Sequence, residues 1–302
     1  MKMRTKLPAI LLAGALTLTA STLLPGVSPV HTASAASAAS AALSIQIDGT
    51  AVQSDVKPVV SHNRTLVPLR VISENLGAKV DWSNSQVTFT KGDLKVTLKP
   101  GSTSAVKNGK TVQLDVKPYI QKNRVMVPLR FLAETFGCKV GYSSGGSSAI
   151  TISTTPLVIG QTPVKALQYE YHMTMGGVIS QISGNAYSQS VYDLFEQNKG
   201  AKVNAPASYS WMANIDLPGS YYKNAQYDFL DKQGNSIKRY DVYSLVNAFP
   251  AEELAGFEKT LLYDAMEDQW YIFSPSAAEA INEQINTASR NGFLKEISNT
   301  VA

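Results

Sequence analysis

Polar and apolar residues alternate along Ser44-Ile45-Gln46-Ile47, the pattern of a strand with one buried face, and Asp48-Gly49 supplies a hairpin turn. An extended segment is expected from Val52. Lys57-Pro58 places a lysine and a proline where a sheet edge must not pair with a foreign strand. His62-Asn63-Arg64 reads as a polar turn tip, because Asn tolerates the left-handed conformation such turns use. Proline pushes the residue before it out of the helical region, so Val67 closes an extended segment, and Pro68 suits the first helical position. Leu69, Ile72 and Leu76 then share one helical face, and Gly77 stops the helix. Val80 and Trp82 begin a returning strand. Val87 and Phe89, then Leu94, Val96 and Leu98, continue it around the turn at Lys91-Gly92-Asp93.

The same text returns about sixty residues later, the mark of a structural unit copied and packed against itself. Asp55-Val56-Lys57-Pro58 recurs as Asp115-Val116-Lys117-Pro118, and Asn63-Arg64 as Asn123-Arg124. Val67-Pro68-Leu69-Arg70 recurs as Val127-Pro128-Leu129-Arg130, and Glu74, Gly77, Lys79 and Val80 as Glu134, Gly137, Lys139 and Val140. Gly145-Gly146 stands near the turn of the second copy, before Ala149-Ile150-Thr151-Ile152. Each helix is about two turns and too short to persist without packing on its own sheet. Whether the units are independent or share one sheet is left open by the pattern.

Past Thr155-Pro156 the chain becomes rich in tyrosine. In residues 164–175, Val164, Ala166, Gln168, Glu170 and His172 share one strand face, and Lys165, Leu167, Tyr169, Tyr171 and Met173 the other. Gly176-Gly177 breaks it. Residues 178–197 are expected to be helical in part, interrupted near Gly184, with Val191, Leu194 and Phe195 as the apolar stripe. Residues 208–214 read as a strand. Residues 226–230 and 237–243 flank a turn at 231–235, residues 250–254 form a helical turn, and 261–263 with 269–273 form a second hairpin. Ser276-Ala277-Ala278-Glu279 has the form of a capping box, after which Ile281, Ile285 and Ala288 line a helix that Gly292 ends. The fold class expected is α+β: tandem antiparallel units of sheet and short helix, then an α+β domain with helices on an antiparallel sheet.

Composition changes this picture mainly at the start. Lys2, Arg4 and Lys6 precede a largely apolar run from Pro8 to Val27, followed by a tract of Ala and Ser with overlapping cleavage patterns ending at Ala35, Ala38 and Ala41. That is the layout of a secretory signal peptide. An uncleaved anchor is the competing reading, but Thr17, Thr19, Ser21 and Pro25 interrupt the run. The expected organisation is a signal peptide at 1–41, a duplicated half at 42–155 (units about 43–100 and 103–155) and a C-terminal domain at 156–302. The location expected is secreted or in the cell envelope or wall, with membrane contact only through the signal segment if it stays uncleaved. Those three leading cations account for most of the formal charge of +4. The remainder is nearly neutral and has no basic stripe, so nucleic-acid binding has no support.

Candidate chemistry is thin. The single cysteine, Cys138, cannot form an intramolecular disulfide and reads as a small buried apolar residue. Arg70 and Glu74 lie four residues apart, within reach across one helical turn. With Arg64, Pro68 and Gly77, and with Arg124, Pro128, Arg130, Glu134 and Gly137 in the copy, they are expected to brace the proline-started turn. Arg70 and Arg130 gripping a substrate in open clefts, with their turns loosely packed, would contradict that. Glu170 and His172 share a strand face and have the types for a metal or base pair, but a partly buried, hydrogen-bonded pair without chemistry is the expected reading. Glu252-Glu253 and Asp264, Glu267 and Asp268 lie in turns and helix starts, a poor setting for opposed glycosidase acids. The aromatics of the C-terminal half have the surface chemistry to stack on sugars, but alternating strands bury such side chains routinely and core packing is the expected reading. No catalytic site, metal site or cofactor is assigned.

The Asn-Arg turn, Val-Pro-Leu-Arg, short helix with Glu and Gly-x-x-Val motifs, in order and in duplicate over about residues 43–155, resemble the copper amine oxidase N-terminal domain-like family, or stalk domain. That resemblance implies an antiparallel sheet curled around a short helix, carried as an appendage by the namesake enzymes and by many secreted or surface proteins without an oxidase. Copper in those enzymes needs three histidines. This chain has His31 in the signal region and otherwise only His62 and His172, and neither Tyr192-Asp193 nor Tyr240-Asp241 matches the Asn-Tyr-Asp/Glu context of their quinone. Oxidase activity is therefore not expected. The function expected is a non-enzymatic secreted or envelope-associated protein whose stalk module attaches to a wall polymer or another surface protein and displays the C-terminal domain. The alternatives are a small hydrolase or a ligand-sensing domain carried on that stalk.

Overall fold

The computed structural model describes residues 43–143, 149–173 and 175–301. The segment expected to be a signal peptide, with Ala35, Ala38, Ala41 and His31, and the Gly145-Gly146 pair lie outside the described residues.

In the duplicated half the two copies exchange parts. The first copy's hairpin, Ser44–Ile47 with Thr50–Ala51, joins the second copy's strands Lys139–Ser143 and Ala149–Ser153 in one four-stranded sheet. Asp48 and Gly49 have positive φ, as the turn requires. The second copy's hairpin, Ser104–Lys107 with Lys110–Gln113, joins Lys79–Ser83, Gln86–Lys91 and Leu94–Leu98 of the first in a five-stranded sheet. The units therefore interlock, and neither sheet is complete without the other copy.

A third sheet holds the symmetry element. Arg64–Pro68 pairs antiparallel with Arg124–Pro128, Val67 opposite Val127, and the outer strands are Val59–Ser61 and Tyr119–Gln121. Those edges are three residues long and each follows a Lys-Pro, which blunts them against foreign pairing. His62 and Asn63, like Lys122 and Asn123, have positive φ in the tight turns. Burial along 61–70 repeats residue for residue along 121–130.

Helices α1 (Leu69–Asn75) and α2 (Leu129–Phe136) start one residue later than expected, with Pro68 and Pro128 as N-caps in extended conformation. The prolines thus end the strand rather than begin the helix. Gly77 and Gly137 have positive φ and stop the helices, as only a residue without Cβ does cheaply. Each helix packs on the other copy's central strand as well as on its own.

The C-terminal half is a nine-stranded sheet among the described residues. Its order is Lys199–Val203, Gln269–Phe273, Thr260–Asp264, Ser236–Leu245, Tyr221–Leu230, Ala166–Met173, Gly176–Ile182 and Leu294–Asn299, with Tyr209–Ser210 alongside Tyr221–Leu230. Helices α3 (Asn185–Asn198) and α4 (Pro275–Arg290) cover one face. Phe195 of α3 stacks on Tyr240 at 4.4 Å between ring centroids and meets Tyr227 at 5.1 Å, while Ile281, Ile285 and Ala288 of α4 are buried.

The structure departs from expectation at several places. Residues 176–182 form a strand, not part of a helix, because Val178, Ser180 and Ile182 alternate inward opposite Ala166–Met173. Only Tyr209–Ser210 of 208–214 is strand. Helix α4 starts at Pro275, whose fixed φ suits the first helical position, with Ser274 as N-cap, so the Ser276–Glu279 box does not form. The hairpin Val158–Ile159 with Thr162–Pro163 and the final strand were not anticipated. The antiparallel α+β class itself holds.

The apolar core does not stop at residue 155. One cluster holds Ile45, Leu69 and Leu132 together with Leu167, Phe195 and Ile281, and the described residues pack as one compact unit. Polar contacts seal the junction. Asp48 accepts from the Thr154 amide at 2.8 Å and, at the start of α3, from the Asn185 amide at 3.2 Å. Tyr187 Oη donates to Asn75 Oδ1 at 2.9 Å and accepts from Asn291 Nδ2 at 2.9 Å.

Candidate functional site

The repeated arginines divide into two kinds. Arg64 donates to Asp115 and Arg124 to Asp55, the latter with Nη2 at 2.8 Å from the carboxylate. Each pair joins the Asn-Arg turn of one copy to the Asp-Val-Lys-Pro segment of the other, so the two-fold arrangement closes both bridges at once. The Arg64 guanidinium holds the Asp115 carboxyl below the usual carboxylate range. Both aspartates stand in the repeated text, but their exchange across copies was not foreseen from it. Reciprocity in a duplicated Arg and Asp pair was the available signal.

Arg70 and Arg130 play no part in that exchange. Arg70 Nη1 lies 3.2 Å from Glu74 Oε1, both side chains well exposed. The prolines beside these arginines are buried between Val67 and Leu69, or Val127 and Leu129, so the turns themselves are tightly packed. Arg70 edges a cleft of about 120 Å³ where the two copies meet. Leu69, Val80 and Val87 form its apolar floor, Trp82 one wall, and Asn123 and Arg124 come from the other copy. Trp82 is 48% exposed, and its counterpart Tyr142 is 64% exposed.

Cys138 is half-buried against the core, and burial pushes its thiol up to about 11, which keeps it protonated and unreactive at neutral pH.

In the C-terminal half Glu170 Oε1 and His172 Nε2 do meet, at 2.8 Å, and the imidazole stacks on Trp211 at 3.9 Å and 6°. His62 sits in an exposed turn of the other half. Among the described residues no three His, Cys, Asp or Glu side chains gather as a metal would need. Of the acids singled out from the sequence, Asp264 and Glu267 are tied to cations. Asp264 is fully buried and accepts from Lys238 at 2.6 Å and Lys199 at 2.7 Å. Burial opposes the charge on Lys199, and its bonds to Asp264 and Glu196 outweigh that and raise its pKa. Glu267 accepts from Tyr271 and lies 3.3 Å from Lys199, which brings its carboxyl down to about 2. Asp241, equally buried, holds Lys223 at 2.8 Å and Arg239 at 2.7 Å. Asp268 accepts from Tyr263, and Glu252 and Glu253 project from an exposed turn. These two buried charge clusters were invisible in the sequence, because their members come from different strands. Trp270 is buried against Tyr243 and Tyr263.

Residues 46–151 match the family model described as copper amine oxidase N-terminal domain. The match spans the interlocked repeats and stops short of the nine-stranded sheet. No curated protein matches the chain.

Proposed function

We propose that this is a non-enzymatic secreted or envelope-associated protein. Its paired repeats act as a stiff attachment unit for a wall polymer or another surface protein and hold the C-terminal half in a set position. The observation that carries the reading is the reciprocal exchange: both hairpins and both Arg–Asp bridges cross between copies. Such a unit resists being pulled apart, because neither copy completes its sheet alone. The junction at Asp48 and Tyr187 supports rigid display of the C-terminal half. Incubating the purified full chain with purified cell wall tests attachment. Retention of the protein after washing is expected, and no retention counts against the reading.

A second reading has one observation in its favour. A cleft of about 510 Å³ opens between α4 and the sheet, lined by Tyr169, Tyr171, Val178, Ser180, Asn282 and Ile285. Its size is in the range of small-molecule sites. Asn286, Ser289 and Glu296 add polar groups to the lining, so a C-terminal sensor of a small amphipathic ligand would show a rise in melting temperature in a ligand screen.

A further inference from the structure

We infer that the cleft between the repeats, bounded by Trp82, Arg70 and Asn123, is a binding site for a pyranose ring of a polysaccharide. This rests on the attachment reading and gives it a ligand class and an address.

Most residues common to the two copies are explained by packing: Val67 and Val127, Leu69 and Leu129, and Pro68 and Pro128 are all buried. Arg64 and Arg124 are explained by their bridges. An aromatic ring two residues beyond the valine of the strand after each helix is explained by neither, because Trp82 and Tyr142 are about half or more exposed. Leaving a large aromatic in water forgoes its hydrophobic gain, so an exposed ring held on a strand beside a cleft is suited to stacking on a ligand.

The cleft has the polarity of a sugar. Pyranose rings carry a C–H face that packs on an aromatic ring and a rim of hydroxyls that needs hydrogen-bonding partners. Here Leu69, Val80 and Val87 make an apolar floor beneath the indole, and polar groups stand at the edge. Arg70 has one partner among the described residues, a single contact to Glu74 at 3.2 Å. Its remaining guanidinium N–H groups are free for hydroxyls or for a carboxylate on the sugar. Asn123 is held in its left-handed turn conformation at the rim. A nucleobase also stacks on aromatics, but the charge around the cleft is balanced. Arg124 is neutralised by Asp55 and Arg70 faces Glu74, which is unsuited to a phosphate backbone.

The test uses the full chain and three soluble probes: the trimers of N-acetylglucosamine, glucose and galacturonic acid. The readout is the indole N–H signal of Trp82 in a ¹⁵N-labelled sample, assigned by its loss in Trp82→Phe. At least one trimer is expected to shift that signal. Trp82→Leu and Arg70→Gln, titrated by calorimetry because the first lacks the indole, are each expected to weaken its binding about tenfold, the scale of one stacking or one charge-assisted contact. Both side chains are exposed, and an unchanged circular dichroism spectrum will show that the variants are folded. A preference for the acidic trimer assigns Arg70 to a carboxylate, and a preference for a neutral one assigns it to hydroxyls. The proposal is overturned if no trimer moves the Trp82 signal, or if Trp82→Leu binds as tightly as the wild type. Wall retention separates the two claims. Retention undiminished in Trp82→Leu leaves attachment standing and removes this cleft, whereas trimer binding without wall retention does the reverse.

Discussion

The two halves of this molecule handle charge in opposite ways. In the repeats the bracing ion pairs lie at the surface: Arg64 with Asp115 and Arg124 with Asp55 are each roughly a third or more exposed. In the C-terminal sheet the charges are inside, with Asp241 and Asp264 almost wholly buried among Lys223, Arg239, Lys199 and Lys238. The repeats gain their cohesion from interlocked strands and an apolar core, so their exposed bridges add little to it. The C-terminal half carries the desolvation cost of burying whole clusters, and such a cluster holds only while it is complete.

The contrast is tested most severely at Asp264. Its replacement by Ala takes the one fully buried carboxylate from Lys199 and Lys238 and leaves them only the more exposed Glu196 and Glu267, and urea denaturation is expected to show a loss of about 3–5 kcal/mol. A loss below about 1 kcal/mol would mean that water reaches the cluster. Next comes Tyr187→Phe at the junction, which strips Asn75 and Asn291 of a buried partner and is expected to cost about 1–2 kcal/mol. If the shared core couples the halves, the variant still melts in a single transition, and two separated transitions would show that the Tyr187 contact is what joins them. Arg124→Ala, at an exposed bridge, is expected to cost under about 1 kcal/mol, and less still in high salt. A salt-independent loss would move that bridge into the class of the buried ones.

The smallest effect is expected in acid. Glu267 is held down to about 2, chiefly by the Tyr271 hydroxyl and then by Lys199. The unfolded chain therefore takes up that proton more readily than the folded one. The group's contribution is complete above its unfolded value near 4.5 and is lost as pH falls toward about 2. Stability measured across that window should slope less steeply in Glu267→Gln. The side chain is 43% exposed, so solvent screens much of the effect.

Local grammar was legible wherever neighbours in the chain decide the outcome. The Asp48-Gly49 and Asn63 turns, the stops at Gly77 and Gly137, the blunted Lys-Pro edges and the inward stripe of Ile281, Ile285 and Ala288 all arise from backbone sterics and from side-chain period. The repeat showed that two units exist, and its arginines marked where they needed support. Where the alternation was short the reading failed, as at residues 176–182, because a few β-branched residues suit a helix or a strand until a partner strand selects one.

Only the tertiary structure decided how distant pieces were matched. The exchange of hairpins, the crossing of Arg64 to Asp115, the capping of α3 by Asp48 and the gathering of Lys199, Lys238 and Asp264 join residues that share no local signal. The cleft beside Trp82 belongs to the same class, since its floor comes from one copy and part of its rim from the other. The chain alone determines which side chains need burial or a partner. Which partner each receives depends on the packing of the whole core, because the free energy of a pairing includes the water that every neighbouring surface gives up.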